Sequence, residues 1–212
     1  MRLRTTLTAL ATTLVAVAVL GTPAQAAATV TLSKGHVDVF DPLYSGGTLA
    51  LEIKDDTAPP AVHRAPADVL LQVLPQAKTT VPSSSAYSFL GAAGSPVWVL
   101  PQTQNANLLW PGWNTLRLSS STFGSAQLSL LSVTGGQVSV YTTNSFGTPT
   151  VLFNSGDGLP DARSLAIGTH AHANWAFKTA GTYTATFQLT ATTVGGATVS
   201  SAPTAYTFEV LA

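Results

Sequence analysis

The chain has four histidines, and two of them fall in Thr169-His170-Ala171-His172-Ala173-Asn174-Trp175. On an extended strand, residues i and i+2 point to one face. His170, His172 and Asn174 therefore project together, with Ala171, Ala173 and Trp175 on the other side. Two imidazoles held on one strand face are a pair of nitrogen ligands. A third from elsewhere completes a His₃ site with an open fourth position, a donor set that suits zinc. The competing reading leaves both side chains on an exposed face, bonded to water.

The best third ligand is His36, in Lys34-Gly35-His36-Val37-Asp38-Val39-Phe40-Asp41. The same alternation puts Asp38 on its face. Asp38 then serves as a fourth ligand or as the acceptor that orients an imidazole. His63 is the weaker candidate, because it sits in a proline-rich segment, Thr57 to Arg64. Copper or nickel would accept the same imidazoles as zinc.

Other chemistry is poorly supplied. There is no Gly-x-Ser-x-Gly elbow and no cysteine nucleophile. Asp157-Gly158 and Pro160-Asp161 read as turns, and Asn154 to Gly158 lacks the ligand spacing of a helix–loop–helix calcium site. No convincing general base accompanies the histidines, so binding ranks ahead of a metallohydrolase that would use a His₃ zinc and its water. Trp98, Trp110 and Trp113 offer a different chemistry. Exposed, they would form an aromatic platform for a glycan or a surface protein; buried, they are core.

The elements that must position these groups are strands. Apolar residues alternate with Thr, Ser and Gln, and β-branched residues are abundant. The pattern predicts strands over 29–32, 36–40, 48–53, 69–73, 86–89, 97–100, 115–118, 127–133, 137–142, 150–153, 174–177, 182–193 and 198–210. Thr134-Gly135-Gly136 and Val194-Gly195-Gly196-Ala197 read as hairpin turns. Gly181-Thr182-Tyr183 resembles the tyrosine corner of an immunoglobulin-like sandwich. The expected fold is all-β, an immunoglobulin-like β-sandwich. Residues 27–118 and 119–212 form two β regions joined through a Trp/Pro-rich connection, or 27–212 forms one compact unit.

The first 26 residues read as a secretory signal: Arg2 and Arg4, an apolar run from Leu7 to Leu20, then Ala24-Gln25-Ala26. The run is too short to span a bilayer, which takes about 20 residues. The mature chain is therefore expected outside the cytoplasm, secreted or held at the wall by a partner, with no membrane span and no sorting signal. Without Arg2 and Arg4 it has seven basic and nine acidic residues, a formal charge of −2. That balance has no basic stripe and excludes nucleic acid as an expected partner. With no cysteine, neither disulfides nor thiolate ligands are available.

Several motifs in order resemble one family, the actinobacterial surface-anchored "choice-of-anchor M" proteins, also described as ABC-transporter-associated repeat proteins. They are Gly35-His36-Val37-Asp38-Val39, Phe89-Leu90-Gly91, Val97-Trp98-Val99-Leu100-Pro101-Gln102 and Trp110-Pro111-Gly112-Trp113-Asn114-Thr115. His170-Ala171-His172-Ala173-Asn174-Trp175-Ala176-Phe177, Gly181-Thr182-Tyr183 and Phe208-Glu209-Val210 follow, so the resemblance spans about Thr31 to Val210. It implies an exported surface protein of a kind encoded with ABC importers of zinc or manganese, with transporter components or other surface proteins as expected partners. His36, His170 and His172 all fall within the matching motifs.

Overall fold

The computed structural model describes residues 29–212, so the expected signal segment lies outside the described residues. Seventeen strands follow in order. The first eight are β1 (Val30–Leu32), β2 (Gly35–Ser45), β3 (Thr48–Asp55), β4 (Val62–Arg64), β5 (Val69–Val73), β6 (Lys78–Thr80), β7 (Pro96–Leu100) and β8 (Leu109–Asn114). Then come β9 (Phe123–Thr134), β10 (Val138–Thr143), β11 (Pro149–Asn154), β12 (Asp161–Leu165) and β13 (His170–His172). The last are β14 (Asn174–Phe177), β15 (Gly181–Thr193), β16 (Thr198–Ser200) and β17 (Thr204–Val210). Only short 3-10 turns interrupt them, and among the described residues no helix is long and apolar enough to cross a membrane.

A seven-stranded sheet runs β1-β5-β17-β15-β9-β12, with β16 added on β15. Two five-stranded sheets run β11-β10-β14-β7-β6 and β13-β8-β2-β3-β4. All three take strands from both sides of residue 118, so a boundary at 118/119 cuts through every sheet instead of separating two lobes. The expected all-β sandwich is what forms.

Alternation explains the core. Along β15, Tyr183, Ala185, Phe187, Leu189 and Ala191 are buried at every second position while the residues between face outward. Phe187 meets Phe40 of β2 with ring centroids 4.6 Å apart, and Phe40 also packs on Tyr206 and Trp175. These aromatics join all three sheets. Removing a fully buried ring such as Phe187 costs about 3–5 kcal/mol. The Tyr183 hydroxyl donates to the Thr179 carbonyl at 2.7 Å, tying the start of β15 to the turn before it.

Four local expectations are corrected. Residues 86–89 lie in a 3-10 turn, Ser85–Leu90, with Ser84 accepting from the Ala86 amide at its start. Residues 115–118 form a turn, and the strand lies just before it, in β8. Gly135 and Gly136 do not close a hairpin: β9 and β10 belong to different sheets, and the turn carries the chain from one to the other. The Gly195-Gly196 turn does close one, pairing β15 with β16. The run 198–210 is split between β16 and β17, where Pro203 has no N–H to donate.

Candidate metal centre

The site lies on one face of the sheet β13-β8-β2-β3-β4. Strand register brings its residues together: His36 pairs with Trp110 and Asp38 with Gly112 across β2 and β8. His172 pairs with Gly112 and His170 with Asn114 across β8 and β13. Paired residues share a face, so His36 and Asp38 of β2 converge with His170 and His172 of β13 across the intervening β8.

Their ligand atoms are close. His36 Nε2 lies 3.1 Å from His170 Nε2, and Asp38 Oδ1 lies 2.8 Å from His170 Nε2 and 3.4 Å from His36 Nε2. A tetrahedral ion with bonds of about 2.0–2.1 Å has ligand–ligand edges of about 3.3–3.4 Å. Asp38 Oδ1 is nevertheless buried without an aligned hydrogen bond. The two imidazole nitrogens are placed to hydrogen-bond each other, Asp38 Oδ1 is left out, and all three atoms are near enough to share one cation.

His172 closes the cluster. Its ring stacks on Trp110 at 3.7 Å and 9°, with its centroid 5.0 Å from His36 and 4.9 Å from His170. Both of its ring nitrogens are buried without a well-aligned hydrogen bond, with only the Pro111 backbone acting on one of them. An orphaned buried polar group costs about 1–3 kcal/mol, and a bound ion would remove that cost. Burial pushes the His172 pKa down to about 4, so its imidazole is neutral and keeps a lone pair at neutral pH. Gly112 makes room for the ring: a Cβ there would sit 2.8 Å from the imidazole and 2.7 Å from the Ala171 carbonyl.

Around the ligands lies a shell of orienting groups. Asp56 meets His36 Nδ1 at 2.9 Å, which places the proton on Nδ1 and the lone pair on Nε2. Asn114 donates to Asp38 Oδ2 at 3.1 Å. The nearby Asp38 carboxylate, aided by Asp56 and opposed by burial, raises the His36 pKa. Burial alone would raise the Asp38 pKa, but His36, Asn114 and His170 hold it below the usual carboxylate value.

Asp56 and Asp41 were not foreseen from the sequence. Asp41 joins Asp38 on the polar face because β2 carries a bulge. Asp38 pairs with Gly112 and Phe40 with the next residue, Trp113, so Val39 is the extra residue. Val39 and Phe40 both go to the core, and Asp38 and Asp41 both turn to the opposite face of the sheet, where other side chains bury them. The signal was there: two carboxylates three apart around two apolar residues break strict alternation.

Two carboxylate groupings on this face already hold a cation. The Lys54 ammonium contacts Asp56 and lies 3.9 Å from Asp38 Oδ2. Arg117 Nη1 meets Asp41 at 2.5 Å, Glu52 at 2.7 Å and His63 Nδ1 at 3.0 Å. His63 thus belongs to this second cluster and not to the three-histidine site. Among the described residues no Lys or Arg side chain pairs with the three histidines themselves, although Lys54 reaches their neighbour Asp38.

Two further expectations change. Asn174 does not project with the histidines: β13 ends at His172 and β14 enters another sheet, where Asn174 donates to Thr143. The tryptophans do not form one exposed platform. Trp98 is 5% exposed with the Lys78 ammonium over its ring, Trp110 is stacked on His172, and Trp113 packs half-buried against the core.

Among known proteins, no family model, no curated protein and no solved structure matches this chain.

Proposed function

We propose that this protein captures a zinc-like divalent metal ion outside the cytoplasm, with His36, His170, His172 and Asp38 as ligands. The observation that carries the reading is the meeting of three lone-pair atoms, His36 Nε2, His170 Nε2 and Asp38 Oδ1, within 3.4 Å of one another. Three imidazoles and one carboxylate match the donors zinc prefers, and copper or nickel fit the same nitrogens. Four protein ligands leave no position for a reacting water, which favours capture over catalysis.

The resemblance to the choice-of-anchor M proteins supports a role in metal acquisition through an ABC importer. The signal-like N-terminus supports a site outside the cytoplasm, where a scarce metal is met. The alternative, a glycan- or protein-binding adhesion module, loses its main support with the buried Trp98.

The test is elemental analysis of the purified protein with zinc titration. One ion per chain is expected, with loss of binding in His36→Ala and His172→Ala. A protein that takes up no metal and melts unchanged in zinc would overturn the reading.

A further inference from the structure

The four ligands are held very unequally. Asp38 is 0% exposed, is bonded by Asn114, and lies on a strand paired on both sides. His36 is 18% exposed and is fixed through Nδ1 by Asp56. His172 is clamped between Trp110 and Gly112 with both nitrogens buried.

His170 differs on each count. Its side chain is 37% exposed, and its ring contacts within ion-pair or hydrogen-bond distance are His36 and Asp38, both of the site itself. No group among the described residues bonds its Nδ1. It sits on β13, three residues long, which pairs with β8 and has no strand on its other edge among the described residues. A cleft of about 420 Å³, lined by Trp113, Thr142, Leu165, Thr169, His170 and Ala171, opens beside it. An imidazole whose second nitrogen is unbonded is a weaker and less oriented ligand than one backed by a carboxylate.

Building on the proposed metal site, we propose that His170 is its exchangeable ligand. Metal enters and leaves past the β13 edge. The His170 Nε2–metal bond breaks as a nitrogen or oxygen donor from outside forms its own bond to the ion. His36, Asp38 and His172 stay bound, and the ion keeps its charge throughout. Hand-off to an acceptor then needs no opening of the sandwich, only the swing of one exposed side chain.

The experiment loads the protein with zinc and measures release to the chromogenic chelator 4-(2-pyridylazo)resorcinol. His170→Ala should still hold one zinc per chain and release it at least about tenfold faster than wild type. His170→Asn, which keeps a polar group at the strand edge, should behave the same way. Free imidazole should accelerate release from wild type and lose that effect in both variants. His36→Ala should hold no zinc under the same conditions. Release unchanged in both His170 variants, or both emptied as fully as His36→Ala, would overturn the exchange role while leaving the metal site standing. A wild-type protein that holds no zinc would remove the metal reading itself.

Discussion

His36 and His170 are 134 residues apart in sequence, yet their Nε2 atoms lie 3.1 Å apart. The approach is made by backbone register, with β2 and β13 both pairing on β8, so the histidines meet without any long side chain reaching out. A site assembled this way has the backbone under its ligands fixed by strand register. Its affinity should respond sharply to changes in the shell that holds it.

Asp56 tests that shell. It touches no ion in the proposed arrangement and acts through His36 Nδ1 at 2.9 Å. Asp56→Asn should lower zinc affinity about 10–100-fold, the usual effect of losing a carboxylate behind a ligating histidine. Competition titration against a chelator of known affinity measures it. Stoichiometry should remain one ion per chain. Affinity within a factor of two of wild type would mean that Asp56 merely pairs with Lys54.

Gly112 tests the packing. Its backbone carries no positive φ, so the need for glycine is spatial. A Cβ would press on the His172 ring and the Ala171 carbonyl, both under 3.0 Å away. Since one of these atoms is backbone, β13 itself must shift. Gly112→Ala should cost about 1–3 kcal/mol in thermal or chemical unfolding, as overpacking does. It should also weaken zinc binding more than its stability loss suggests, because the displaced strand carries two ligands.

His172 makes a pH prediction for the metal-free protein. Burial lowers its pKa to about 4, against about 6.5 in the unfolded chain. Between those values the unfolded chain binds more protons than the folded one. His172 therefore leaves stability intact above about pH 6.5 and lowers it as pH falls toward about 4. Melting temperatures of wild type and His172→Gln, compared from pH 7 to pH 4, should show wild type losing more on acidification. Parallel profiles would mean that the ring is not buried as described.

How much of this was legible in the sequence follows from which rule each feature obeys. The alternation in 182–193 gave β15 within a residue, because a strand buried on one face must alternate. The His170/His172 pair and the His36/Asp38 pair each need only i, i+2 geometry, so both could be read locally. Their convergence could not, because it depends on β13 and β2 flanking β8. Asp41 stayed hidden behind the extra residue Val39, which shifts the strand's phase by one. Asn174 was misassigned because the chain changes sheets at Ala173, with nothing in the alternation to mark the crossing. Trp98 and Trp113 followed core packing, the ordinary fate of large apolar rings.

Arg117 tests the second cluster on the same face. Its Nη1 bonds Asp41, Glu52 and His63, and Asp41 is 0% exposed. Burial raises the Asp41 pKa even with Arg117 beside it. Arg117→Gln removes the compensating charge and leaves a carboxylate buried. Breaking such a pair costs about 3–5 kcal/mol, and the lower end applies because Arg117 itself is 28% exposed. The loss should be largest at neutral pH. A raised folded pKa means that protonating Asp41 relieves the strain, so the gap to wild type should narrow as pH falls through that value. Urea unfolding of both proteins at pH 7 and pH 4.5 measures the gap. Zinc affinity at the three-histidine site should change little, since the two clusters share no ligand. If Arg117→Gln instead gained a second zinc with Asp41, Glu52 and His63 as donors, the guanidinium would be acting as a plug in a competent metal site. An equal stability gap at both pH values would show that Asp41 does not carry the cost.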